Sequence, residues 1–264
     1  MHGVRFRSLS LDDLHIEDER SFRHVALYDE LKQALRRDGY RFRVPEGEVA
    51  SWDRVVFLNL TFLDPGEQGD VLASACIPAD VVTHVAWHHL ARRALAGAGA
   101  GASADALLFG EAIASAFDLY LVGRLLGHAS DAQFLETQVP AMAEVAAAAG
   151  MDDDRFESLL QEISADPDRA FEDLRELLFD AGTMLVAARG IDEAAATLAR
   201  FDGHRFGALL HHYELSNWVL FARAHAASAL APDPVVRAID SELRASPVAL
   251  DRLEQEWLSA GARA

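Results

Sequence analysis

Large and polar residues alternate at period two over residues 4–11 (VRFRSLSL) and again over 40–44 (YRFRV), the pattern of half-buried strands. Between them, residues 24–37 place Val25, Tyr28, Leu31 and Leu35 at helical spacing and stop at Asp38-Gly39, a helix-ending pair. Residues 54–62 (RVVFLNLTF) carry the strongest strand signal in the chain, closed by the turn Asp64-Pro65-Gly66; residues 70–77 (DVLASACI) predict a further strand or a loop. From Pro78 onward the pattern turns helical. Pro78 fits a first helical turn, where its missing N–H costs nothing, and residues 80–95 continue that helix. After a small-residue connector at 96–103, residues 105–126 read as a second helix, apolar around most of its circumference and therefore central. Further helices are predicted near 131–149, 152–164, 168–188, 191–200, 204–229, 233–244 and 247–260, with Asp152-Asp153-Asp154 as a helix start.

This order predicts an α+β protein. Residues 1–77 form an N-terminal α/β subdomain with a small mixed sheet and one helix, 78–127 a helix pair, and 128–264 a mostly helical C-terminal subdomain. An apolar share of 51% with 14 Phe supplies a core and excludes a disordered chain. Twenty-four basic against 42 acidic residues give a net charge of −18, which repels a phosphate backbone and an anionic bilayer, so neither nucleic acid nor membrane is expected as a partner. The single cysteine, Cys76, forbids an internal disulfide and a cysteine-cluster metal site; it reads as a small packed residue. The N-terminus has no apolar signal core and the long apolar runs read as broken by charge short of a spanning length of roughly 18 residues, which predicts a cytoplasmic protein.

Candidate chemistry begins with His84 and His88, four apart on one predicted helix, so that both imidazoles leave the same face and can share one metal ion. Glu111, 23 residues after His88, supplies a third ligand if the two helices fold back as an antiparallel pair. A carboxylate inside the apolar stretch LLFGEAIASAF needs a partner when buried; a metal–histidine site provides one, and Arg92 or Arg124 would be the alternative. Asp118, seven residues past Glu111 on nearly the same face, is placed to orient a ligand imidazole. His89 adjoins the pair as a candidate acid/base. A second cluster, His211-His212-Tyr213-Glu214, adds His211 and His212 as acid/base or substrate contacts on the helix predicted from 204, with Tyr213 a further proton donor. Gly97-x-Gly99-x-Gly101 follows a helix rather than a strand and reads as a connector, not a phosphate loop.

The arrangement His84-x-x-x-His88, then Gly110-Glu111-Ala112-Ile113-Ala114-Ser115 on the next helix, resembles the zincin metallopeptidases of the gluzincin type. The resemblance covers roughly residues 1–127 as element order and three ligand positions as motif. It implies a small mixed sheet before the metal helix, helices after it, a zinc ion on His84, His88 and Glu111, and a peptide substrate. The chain departs from the family at two positions: Val85 stands where those peptidases carry the glutamate that deprotonates the metal-bound water, and Ser115 where thermolysin-like enzymes carry an aspartate. Three readings follow. One is a divalent-metal-dependent hydrolase of small-molecule or peptide substrates with altered general-base machinery. Another is a non-haem iron enzyme using the two-histidine, one-carboxylate triad. The third is a noncatalytic helical interaction protein with a degenerate metal site.

Overall fold

The computed structural model describes residues 5–46, 69–225 and 231–258, and the chain divides into two compact units, Met1–Ala86 and Trp87–Ala264. The chain is mostly helical with a small strand set near the N-terminus, the α+β class that the pattern predicts. The predicted strand at 54–62 and its turn lie outside the described residues.

In the first unit β1 (Phe6–Ser10) pairs antiparallel with β3 (Arg41–Pro45), Leu9 opposite Phe42. Alternation works as expected on β3: Phe42 and Val44 are buried while Arg41 is exposed and Arg43 half-buried. A second pair, β2 (His15–Glu17) with β4 (Cys76–Pro78), is parallel. Instead of one mixed sheet, the described residues form two two-stranded sheets, and the 70–77 segment splits between them: Val71 makes a single bridge to Arg43, and Cys76, half-buried and unoxidised, opens β4. Pro78 closes β4 opposite Glu17 instead of starting the helix, a strand-end position that needs no N–H donor. A short helix α1 (Glu19–Phe22) precedes α2 (Tyr28–Arg37), which buries Tyr28, Leu31, Ala34 and Leu35 as one stripe. Helix α2 begins four residues later than the apolar spacing predicts, because Leu27 takes a left-handed conformation (φ 70°) that cannot continue a right-handed helix backwards to His24.

Helix α3 (Ala79–Gly97) carries the division between the units within its length. The connector turns at Gly99 (φ 88°), and Ser103 caps α4 (Ala104–Leu126) by accepting a hydrogen bond from the Ala106 N–H at 3.1 Å. α4 is buried on nearly every side, and this corrects one sequence expectation: by length and composition it would span a membrane, with 78% of the qualifying window buried inside the protein. Its apolar surface is taken up by other helices, as in a core helix.

Around α4 the second unit arranges α5 (Gln133–Ala148), α6 (Asp153–Ala165), α7 (Pro167–Ala187), α8 (Ile191–Ala199), α9 (Leu215–His225), α10 (Pro234–Arg244) and α11 (Ala249–Leu253), the last extended by a wider turn at Glu254–Leu258. Asp152, Asp166 and Asp233 cap α6, α7 and α10 by accepting backbone N–H bonds, with Pro167 and Pro234 following directly. The α4–α7 contact is the most extensive of the core, with Phe109 against Phe179 edge to face at 5.1 Å and Leu108 against Gly182. At the far end of α4, Gly123 lets α6 and α7 approach: a Cβ there would lie 2.6 Å from the Ile163 carbonyl oxygen and 3.1 Å from Pro167 Cβ. Gly123→Ala therefore forces two helices apart and is expected to cost about 1–3 kcal/mol, measured as a lower urea midpoint at unchanged slope.

The predicted helix 204–229 breaks in two. Glu214 adopts φ 48°, ending a 3₁₀ segment (Gly207–Tyr213), and α9 starts at Leu215; residues 226–230 lie outside the description.

Candidate metal centre

Helix geometry brings His84 and His88 to one face of α3, 40° apart in azimuth and about 6 Å apart in rise. Glu111 enters from α4. One ligand atom from each of the three lies within 4.8 Å of the others, and all three residues are half-buried. His88 Nε2 stands 3.5 Å from Glu111 Oε2. The other ring nitrogen of His88 faces Gly110, where a Cβ would sit 3.8 Å from Nδ1 in ordinary contact. Gly110 therefore packs beside the imidazole at a position that would also accept a Cβ.

These distances suit an ion. Tetrahedral zinc with bonds of about 2.0–2.1 Å places its donors about 3.4 Å apart, so the 3.5 Å pair is already at ligand spacing. Two neutral imidazoles and one carboxylate leave positions open, the donor set of zinc or ferrous iron. Without an ion, the same 3.5 Å approach is a histidine–carboxylate pair that meets the solvation need of Glu111. Arg124, one of the alternative partners, donates from Nε to the Tyr120 hydroxyl at 2.9 Å, and Arg92 is exposed.

The remaining candidates lie outside the three-residue group. Val85 is buried at 6% exposure, so the position following His84 is part of the core. His89 is half-buried on α3, 100° around from His88. Asp118 is half-buried two turns beyond Glu111, and its charge acts on His212 and Tyr213, which relates α4 to the 3₁₀ segment at that depth. Ser115, one turn after Glu111, is buried.

His211 and His212 do not sit on the α-helix predicted from 204; they lie on the 3₁₀ segment instead. In the 3₁₀ segment His211 is exposed and His212 half-buried, its ring edge to face with Tyr213 at 5.0 Å. Burial lowers the His212 pKa, with Asp118 and Glu214 opposing, so the imidazole is neutral at pH 7. Burial and the Asp118 charge together raise the Tyr213 phenol well above its ordinary value, leaving it a neutral hydrogen-bond donor. Apolar periodicity could not reveal this trio, because Asp118 and His212 are separated by 94 residues of chain.

The chain matches no family model, no curated protein and no solved structure.

Proposed function

We propose that this protein binds a divalent metal ion through His84, His88 and Glu111, with a zincin-like relationship between the two helices that carry them. One observation carries the reading: three ligand atoms of complementary type, from two helices, lie within 4.8 Å of one another in a half-buried setting. Zinc is the first expectation. Held there, it supplies Lewis acidity toward a carbonyl of a small-molecule or peptide substrate, and the chain's own residues hold and orient it. The metal-dependent hydrolase so described lacks a carboxylate base at position 85, leaving His89 and the neutral His212 as the side chains to be tested for proton transfer.

A second reading is favoured by the burial of Val85. A ferrous ion on two histidines and one carboxylate requires no base beside the metal, so a core residue at that position is compatible with non-haem iron chemistry.

Protein purified without an affinity tag is expected to carry, or to take up on titration with Zn²⁺ or Fe²⁺, about one ion per chain. His84→Ala and Glu111→Ala should abolish binding, while His211→Ala retains it. Bound ion should stabilise the fold by about 4 kcal/mol at a free concentration a thousandfold above Kd. Absence of uptake by the folded parent overturns the proposal. Iron with oxygen-dependent turnover selects the second reading over the first.

A further inference from the structure

Helix α10 is tied to the core by charge as well as by apolar surface. Val236 and Leu243 are its buried aliphatic residues, while Arg237, Asp240 and Arg244, spaced three and four apart on the same face, each reach a different part of the core. Arg237 grips Asp105 with two bonds of 2.7 and 3.0 Å. Asp240 accepts from Arg175 at 2.6 Å and from Arg244 at 2.9 Å. Arg244 continues to Asp180 at 2.8 Å and to Glu176 at 3.3 Å. Arg175, wholly buried, also holds both oxygens of Glu172. Five carboxylates (Asp105, Glu172, Glu176, Asp180, Asp240) thus meet three guanidiniums, an excess of two negative charges. Glu172 and Glu176 stand one turn apart on α7, close enough to hydrogen-bond to each other once one of them carries a proton.

We propose that α10 is a proton-operated latch: a proton shared between Glu172 and Glu176 completes the ion-pair ladder and holds the helix on the core, and its loss at higher pH loosens that helix locally. The groups facing Glu176 are Glu172 and Arg175 from its own helix and Arg244 from α10. Arg252 of α11, the next basic residue along, is engaged with Glu242 and Glu256. Burial raises the Glu176 pKa first, and the Glu172 hydrogen bond and charge add to this against Arg244 and Arg175. A carboxyl with a folded pKa above its unfolded value binds more protons folded than unfolded. Its contribution is therefore full below the ordinary carboxylate value and lost as pH rises through the folded one. The latch is independent of the metal proposal: none of its residues is a proposed ligand.

Hydrogen exchange of the full-length protein, corrected for the intrinsic pH dependence of exchange, tests it. Protection of amides in 236–244 is expected to fall severalfold as pH rises from 4.5, the ordinary carboxylate value, to 8, by no more than the tenfold per pH unit that one linked proton allows, while amides in 110–122 of α4 keep theirs. Glu176→Gln, which keeps the neutral form at every pH, should retain high protection and flatten the profile; Glu242→Gln, outside the ladder, should leave the profile unchanged. Should Glu176→Gln misfold, the two segments of the parent decide by themselves. Protection in 236–244 that is flat or increases with pH overturns the proposal. So does a fall shared equally by 110–122, or an unaltered profile in folded Glu176→Gln.

Discussion

Arg175→Ala is expected to cost about 3–5 kcal/mol, a third or more of the stability of an ordinary domain. The side chain has no exposure, and its guanidinium satisfies Glu172 through Nε (3.1 Å) and Nη2 (2.6 Å) and Asp240 through Nη1 (2.6 Å). Burial alone would favour loss of the proton, but the two carboxylates outweigh it and raise the Arg175 pKa. Truncation leaves two nearly buried carboxylates facing each other across the α7–α10 contact and opens a cavity beside the Phe109 ring, over which the guanidinium lies at 5.8 Å. Breaking an ion network is not equivalent to replacing it. Arg175→Met combined with Glu172→Leu and Asp240→Leu removes the charges together and should recover most of the loss, because the desolvation cost of all three disappears with their attraction. Urea unfolding of the two variants decides. A fall of less than 1 kcal/mol for Arg175→Ala would mean that water reaches the network and that the three charges are solvated.

What was legible in the sequence divides along physical lines. Helices α4, α6, α7, α8 and α10 stand within a residue or two of their predicted positions, because each begins at a side-chain cap or, for α8, at a glycine, and carries an uninterrupted local pattern. Failures came where a backbone conformation has no residue signal. Leu27 and Glu214 adopt left-handed angles without being Gly or Asn, so nothing in their type announces the late start of α2 or the break between the 3₁₀ segment and α9. Pairing of the short strands was invisible for another reason: β2 and β4 are three residues each and lie 59 residues apart, beyond the reach of any local rule. At the candidate centre the ligand triplet was readable because a helix converts spacing into direction, and a carboxylate in an apolar run signals its need for a partner. The placement of His211 and His212 was not, since it depended on the helix that Glu214 interrupts.

Val85→Glu puts into the chain the carboxylate that gluzincin peptidases carry beside their first histidine, and it is expected to destabilise the fold by about 3–5 kcal/mol instead of creating a peptidase. At 6% exposure the Val85 side chain belongs to the core, 100° around α3 from His84 and 60° from His88. A carboxylate there exchanges water for apolar neighbours without a partner built to receive it. It would respond by holding its proton, so the deficit should shrink as pH falls: a raised folded pKa adds stability in acid and withdraws it as pH rises, and the loss at pH 5 should be clearly smaller than at pH 8. Val85→Leu, which changes volume by one methylene and adds no charge, should cost less than about 1.5 kcal/mol and leave metal uptake intact. Denaturation curves at the two pH values, with metal content measured on each variant, separate the contributions of charge and packing. A Val85→Glu protein as stable as its parent, and hydrolysing a peptide or ester faster, would place position 85 beside an open cleft. In that case the iron reading would lose the observation that favours it, and the zinc hydrolase would stand alone.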